Sequence, residues 1–138
     1  MLTRLWTIGV KVPDLEAELK FQKEIGSTLI LDETLEFEGH SYRIPLVRMG
    51  DKYLHLAEKM VYEKILGRDL PYGMTHLVHI SDNFDDDLRM CLDAGAKLVM
   101  DVANISAKFG ERKVAFMTAP SGWIFEIIQI HRNLVPEV

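Results

Sequence analysis

Cysteine is almost absent from this 138-residue chain, in which Cys91 is the single example. One cysteine cannot form an intrachain disulfide, which excludes the class of small secreted domains that are cross-linked by disulfides. Cys91 lies among apolar residues of a predicted helix, and we interpret it as a small core residue. Basic residues are in the minority, since 16 Lys and Arg accompany 21 Asp and Glu, which gives a formal charge of −5. This charge argues against binding to nucleic acid or to an acidic membrane surface.

Long apolar runs are also missing. No stretch approaches the roughly 18 residues that span a bilayer, and Lys11 and Asp14 interrupt the apolar stretch near the N-terminus, which is unlike a signal peptide. These absences lead us to expect a cytoplasmic protein. Hydrophobic residues nevertheless make up 48% of the chain, which is enough to bury a core. We therefore expect a folded chain with a single domain over residues 1–138.

The second half of the chain repeats the pattern of the first. Adding 69 to the number of Thr7 gives His76. The same offset relates five further pairs: Leu15 and Phe84, Leu19 and Leu88, Gly26 and Gly95, Leu29 and Leu98, and Ile30 and Val99. The repeat predicts two copies of one unit, over about residues 3–58 and 74–131, joined by a linker over about 59–73. Duplicated units often build their site where they meet.

The first unit combines one helix with four strands. Segments rich in β-formers predict strands over residues 5–12, 28–37, 42–49 and 52–57. A helix is predicted between the first two strands, with Asp14 as its N-cap and Gly26 at its end. Pro45 lies inside the third strand, which favours an edge or a bulge there. The order of elements is therefore β-α-β-β-β.

The second unit is predicted to repeat this order after a linker with a short helix. Strands are expected over residues 76–81, 96–101, 112–118 and 123–130. Asn83 is a good N-cap for a helix that Gly95 ends. Residues 102–110 lack a regular pattern and are predicted to be a loop, and the tail over 133–138 is predicted to be loose.

Two tandem units of this kind resemble the vicinal oxygen chelate superfamily, which is also called the glyoxalase, bleomycin resistance protein and extradiol dioxygenase fold. Three stretches carry the resemblance: TIGVKVPDL at 7–15, HLVHI at 76–80 and APSGWIFE at 119–126. It covers about residues 5–130. The resemblance implies an α+β fold in which two tandem βαβββ units form a cupped, barrel-like mixed sheet with helices outside.

The resemblance also implies one divalent metal ion (Fe, Mn, Zn or Ni) in the cup, held from the first and last strands of each unit. The implied positions are Thr7, His55, His76 and Glu126. His76 and Glu126 match the family pattern, whereas His55 replaces a usual Glu and Thr7 replaces a usual His or Gln. Metal ligation is thus predicted for His55, His76 and Glu126, which leaves coordination positions open for substrate. Thr7 is predicted to hydrogen-bond a substrate oxygen or a bound water.

Glu126 is singled out by its local sequence as well. It lies in a nearly continuous apolar run over residues 123–128, where a carboxylate without a partner is costly to bury. We predict a catalytic role for it; the alternatives are an edge-exposed side chain or one paired with an Arg. Tyr53 and Trp123 are predicted to line a substrate pocket, although packing in the core is equally compatible with their sequence. His79 is predicted to point to the opposite face from His76.

The resemblance implies a divalent-metal-dependent enzyme of the isomerase, lyase or dioxygenase-like type, which acts on a small molecule by chelating its oxygens. Phe116 stands where the dioxygenase signature has Tyr, which weakens the dioxygenase hypothesis. The alternative is a metal-free small-molecule or drug-binding protein of the bleomycin-resistance type, which the loss of a ligand at Thr7 favours. A structural or regulatory family member is a third hypothesis. We expect a homodimer, and the sequence leaves open whether one chain or two supply each site.

Overall fold

A nine-stranded mixed sheet dominates the computed structural model, which describes residues 1–2 and 4–137. In chain order the elements are β1 (Arg4–Lys11), α1 (Leu15–Glu24), β2 (Thr28–Leu31), β3 (Thr34–Phe37), β4 (His40–Arg43), β5 (Leu46–Met49), β6 (Lys52–Ala57), α2 (Glu63–Leu66), β7 (Gly73–Ile80), α3 (Phe84–Asp93), β8 (Lys97–Leu98), β9 (Ala103–Ala107), β10 (Gly110–Thr118) and β11 (Ile124–Asn133). The strand order is β2-β5-β6-β1-β7-β11-β10-β8, with β9 also paired to β10. Among the described residues, no helix is long and apolar enough to cross a membrane.

The two halves meet along β1 and β7, which pair antiparallel at the centre of the sheet. Gly9 lies opposite His76, and Thr7 lies opposite Val78. Because 69 added to Thr7 and Gly9 gives His76 and Val78, this register is two-fold symmetric with respect to the sequence repeat. The last strand of each half then pairs parallel to the first, so that His55 lies beside Gly9 and Glu126 beside Val78. The two halves of one chain therefore form one open, cupped sheet.

The helices pack on the outside of this sheet, and the α+β fold class is confirmed. Helix α1 places Leu15 against Val47 and Leu56, and α3 places Phe84 and Cys91 against the outer face of β10 and β11. Both predicted N-caps are confirmed, since the Ala17 N–H donates to Asp14 and the Asp86 N–H to Asn83. The largest buried cluster fills the concave side of the cup.

Two strands predicted in the first unit are wrong in extent. Residues 28–37 form β2 and β3, and residues 42–49 form β4 and β5. Pro45 has no N–H to continue a ladder, and the Ile44 N–H donates to the Glu33 carbonyl at 2.8 Å. The chain leaves the large sheet at these points, so β3 and β4 form a separate hairpin.

The second unit also differs from its prediction where strands pair with segments that are distant in the sequence. The predicted strand over 96–101 is regular only at β8, and the predicted loop over 102–110 contains β9, which pairs antiparallel with β10. The small and polar residues of β9 give no hydrophobic signal. The tail is packed, contrary to prediction: Val135 is buried, and the Tyr53 hydroxyl donates to the Pro136 carbonyl at 2.6 Å.

A buried ion pair fastens the linker to the sheet. The Lys11 ammonium donates to Glu63 and to the Leu70 carbonyl, each at 2.8 Å. Glu63 also accepts the backbone N–H groups of Met60 and Leu70. Burial alone would raise the pKa of Glu63, but these donors outweigh it and lower that pKa. This ion pair holds the linker against the sheet, and the neighbouring residue, Tyr62, lies inside the cup.

Candidate functional site

A cavity of about 80 Å³ lies inside the cup, lined mostly by apolar side chains from both halves and the linker. Its polar and titratable lining residues are His55, Lys59, Tyr62, His76, Arg112 and Glu126. The space holds several water molecules but is well below the roughly 300–1,000 Å³ of common ligand pockets. A wider cleft of about 610 Å³ lies between the β3–β4 hairpin and α2, but none of the predicted site residues lines it.

His76 and Glu126 form the polar centre of this cavity. The His76 Nε2 atom lies 3.5 Å from a Glu126 carboxyl oxygen, and the two residues are 9% and 8% exposed. Burial raises the pKa of Glu126, although its hydrogen bond with His76 acts in the opposite direction. The buried carboxylate inferred from the sequence is therefore present, and its partner is a histidine. The 3.5 Å separation is the outer limit of a hydrogen bond.

The other ring nitrogen of His76 lies beside two hydroxyl groups that sequence reasoning missed. Nδ1 lies 3.0 Å from the Tyr62 hydroxyl and 3.0 Å from the Thr75 hydroxyl. Thr75 donates its own proton to the Gly9 carbonyl at 3.0 Å. Burial raises the pKa of Tyr62, so its phenol keeps a proton to share with Nδ1. Adjacency to His76 is a signal for Thr75, but nothing local marks Tyr62.

Tyr62→Phe is expected to lower the free energy of unfolding by about 0.5–1.5 kcal/mol, the usual net value of one hydrogen bond. The variant also removes one of the two hydroxyls that fix the His76 ring. Urea denaturation measures the loss. Tyr42→Phe is the matched control, because Tyr42 is also buried but packs beside His40. Equal effects of the two substitutions would contradict a specific role for Tyr62.

Gly9 provides the surface on which the His76 ring lies. A β-carbon built on Gly9 would stand 2.4, 2.7 and 2.9 Å from the Cε1, Nδ1 and Nε2 atoms of His76. These separations are far below van der Waals contact, so only glycine admits the ring in this place. Gly9 belongs to the first family-like stretch of the sequence, but its partner is 67 residues away and could not be inferred locally.

His55 lines the same cavity in an aromatic environment. Its ring is 5.8 Å from that of Trp6 and 5.7 Å from that of Phe109, both edge to face. The Nε2 atom is buried and has no hydrogen-bond partner among the described residues. Burial lowers the pKa of His55 to about 3, and the nearby His76 and Arg112 contribute to the decrease. His55 is therefore neutral at physiological pH.

The described side chains do not form the predicted metal site as they are arranged. No three His, Cys, Asp or Glu side chains in residues 1–2 and 4–137 come together at a point where they could hold an ion. His76 and Glu126 are close enough to share an ion, but His55 does not join them. A catalytic zinc-type site has three protein ligands. The ligand set implied by the family resemblance is thus incomplete in this arrangement.

The three residues predicted to bind substrate are not brought to the cavity. Thr7 is fully buried, and its hydroxyl has no partner among the described residues. Tyr53 is buried beside Trp6, with its hydroxyl directed to Pro136. Trp123 is 49% exposed and packs against Phe125 on the other face of the sheet. His79 lies on that face too, as the strand alternation predicts.

The structure resembles solved enzymes. A methylmalonyl-CoA epimerase variant from Streptomyces coelicolor, in complex with 2-nitronate-propionyl-CoA, has a TM-score of 0.71 and 22% identity, over 96% of this chain and 100% of that one. The methylmalonyl-CoA epimerase of Mycobacterium tuberculosis has a TM-score of 0.70 and 18% identity, over 95% and 90%. A 4-hydroxymandelate synthase mutant from S. coelicolor has a TM-score of 0.61 and 14% identity, over 95% and 49%.

Sequence comparison adds nothing to this likeness, since no family model and no curated protein matches the chain. The epimerases and the synthase are members of the vicinal oxygen chelate superfamily. At these identities the likeness concerns the fold, and it agrees with the strand order and the repeat described above. The chain therefore has the fold of the vicinal oxygen chelate superfamily, as its three family-like stretches predicted.

Proposed function

We propose that this protein is a small-molecule enzyme of the vicinal oxygen chelate type, and that His76 and Glu126 move a proton on a substrate bound in the cup. The observation that carries the proposal is the buried Glu126 carboxyl, which faces His76 Nε2 at 3.5 Å in a mostly apolar cavity. Buried groups with a perturbed pKa, such as the Glu126 carboxyl, are concentrated at functional sites. One similar solved structure is a methylmalonyl-CoA epimerase in complex with methylmalonyl-CoA, which is a small molecule.

The pair suits proton transfer at a carbon next to a carbonyl group. Glu126 has a raised pKa, which makes its carboxylate a stronger base, and it would take the proton from carbon. The electron pair left on carbon moves to the carbonyl oxygen. In the tautomer where Tyr62 donates to Nδ1, His76 carries its proton on Nε2 and would donate it as a hydrogen bond to that oxygen. Return of a proton to the opposite face of that carbon gives an epimer, whereas return by Glu126 to the same face restores the substrate and exchanges its hydrogen with the solvent.

Deuterium exchange tests this proposal. The protein is incubated in D₂O with a panel of small carbonyl compounds and acyl-CoA thioesters, and loss of C–H signals is followed by proton NMR. Glu126→Gln is expected to slow exchange at least about 100-fold, since a positioned general base contributes that much. His79→Gln is the control, because His79 lies on the outer face. Exchange by no member of the panel, or equal rates in the Glu126 variant, would contradict the proposal.

We also propose that the enzyme depends on a divalent metal ion, as the family resemblance implies. The same exchange assay is run on chelator-treated protein and on protein loaded with Fe(II), Mn(II), Zn(II) or Ni(II), with the metal content measured by elemental analysis. An ion bound by His76 and Glu126 would be lost in His76→Ala and kept in His55→Phe, because only the first two side chains approach each other.

A metal-free binding protein is the second candidate function. The small, mostly apolar cavity favours it. In this case a ligand would raise the melting temperature of the wild-type protein, while no compound that binds would exchange its C–H protons.

A further inference from the structure

Arg112 is a buried cation that the proposed proton transfer does not use. It lies on β10, is 1% exposed and lines the cavity. Four of its five N–H donors are engaged: Nη1 donates to the carbonyls of Glu111 and Arg132, and Nη2 donates to the Phe109 carbonyl and the Asn133 side chain. The fifth donor, on Nε, is buried and has no partner among the described residues.

The charge of Arg112 also lacks a close counter-ion. None of the ion pairs among the described residues includes it, and all four acceptors of its guanidinium are neutral oxygens. Burying an unpaired cation is costly, and burial accordingly lowers the pKa of Arg112. The one carboxyl group that lines the cavity is Glu126, which faces His76 and not Arg112. No carboxyl group among the described residues therefore pairs with the Arg112 guanidinium.

His55 lines the same cavity as Arg112. Trp6 and Phe109 contact both side chains: their rings lie 5.0 and 5.1 Å from the Arg112 guanidinium and 5.8 and 5.7 Å from the His55 ring. The Nε2 atom of His55 is the second buried nitrogen here without a partner among the described residues. In the tautomer with its proton on Nε2, neutral His55 supplies a second N–H donor.

We propose that Arg112 and His55 form an anion-binding subsite, and that the natural ligand carries a carboxylate which receives the Arg112 Nε–H and the His55 Nε2–H. A carboxylate accepts two such donors with its two oxygens, and it compensates the buried cation. The cavity volume of about 80 Å³ limits the part of the ligand bound here to a short monocarboxylate. The inference names the substrate class of the proposed function and rests on the same cavity, but not on proton transfer.

Carboxylates and their matched amides test the subsite. Acetate and propionate, beside acetamide and propionamide, are titrated into the wild-type protein at constant ionic strength and pH 7.5, with protein-observed NMR and the melting temperature as readouts. The acids are expected to bind at least 10-fold more tightly than the amides. His55→Phe keeps the aromatic packing and removes the donor, so it is expected to weaken acid binding about 5- to 10-fold. Arg112→Met is expected to weaken acid binding more than 10-fold.

Several outcomes overturn the inference: no binding of either acid, equal binding of acid and amide, or unchanged acid binding in His55→Phe. If Arg112→Met does not fold, the His55 variant still decides, because circular dichroism and the melting temperature report on its fold separately. Glu126→Gln distinguishes the two proposals, since it should abolish proton exchange yet retain acid binding. A protein that binds propionate without exchanging protons would keep the subsite and reject the proposed enzyme.

Discussion

The free energy of unfolding is expected to fall by about 1.4 kcal/mol for each pH unit below 6.5 on account of His55 alone. The folded protein holds the pKa of this residue at about 3, against an ordinary value of 6.5. Between these values the unfolded chain binds one more proton than the folded chain, so stability rises with pH. The full stability is therefore present above pH 6.5. At pH 4 the free energy of unfolding is lower by about 3 kcal/mol because of His55.

Urea denaturation between pH 4 and pH 8 measures this dependence. His55→Phe removes the titrating group, so its curve of stability against pH should be flatter than that of the wild-type protein over the same interval. The difference between the two curves isolates His55 from the carboxyl groups that titrate nearby. His131→Gln is the matched control, because His131 is exposed. Parallel curves for the wild type and His55→Phe would contradict the buried, neutral state of His55.

Glu126 acts on stability in the opposite direction. Because burial raises the folded pKa of Glu126 above its ordinary value of 4.5, the folded protein keeps this proton more tightly than the unfolded chain does. Its contribution is therefore present at low pH and is lost as the pH rises through the folded pKa. Measuring Glu126→Gln alongside His55→Phe separates the two effects, which overlap above pH 4.5.

Gly9→Ala is expected to disable the candidate site while leaving the fold recognisable. The new methyl group would occupy the place of the His76 ring, with the nearest ring atom 2.4 Å away. The ring must move, which separates it from Glu126 and from the hydroxyls of Tyr62 and Thr75. Overpacking of this kind costs about 1–3 kcal/mol, and a displacement of about 1 Å at a reacting group lowers the rate about 100-fold. Thermal denaturation and deuterium exchange measure the two effects.

A double-mutant cycle provides the control for this substitution. In the His76→Ala background the ring is absent, so adding Gly9→Ala should then cost much less stability than it does in the wild-type protein. An equal cost in both backgrounds would show that the alanine disturbs β1 itself and does not act through His76.

Much of the fold could be predicted from the sequence because the signals are local or periodic. Asp14 and Asn83 cap their helices as their side-chain chemistry predicts, and β6 matches its alternating segment. The offset of 69 residues predicted two copies of one unit, and the antiparallel pairing of β1 with β7 relates these copies symmetrically. Pro45 predicted an interruption of the strand. The separate β3–β4 hairpin could not be predicted, because it depends on hydrogen bonds that form only in the folded structure.

The sequence by itself determined the duplicated cup and brought attention to His76 and Glu126, since a strand pattern and a carboxylate in an apolar run are visible without a structure. Only the tertiary structure decided what surrounds them. Tyr62 reaches His76 because a buried ion pair fastens the linker, and Gly9 makes room for the ring across two strands. Arg112 faces the same cavity as His55 although 57 positions separate them in the chain. Such contacts depend on distances between remote segments, which no local pattern of residues encodes.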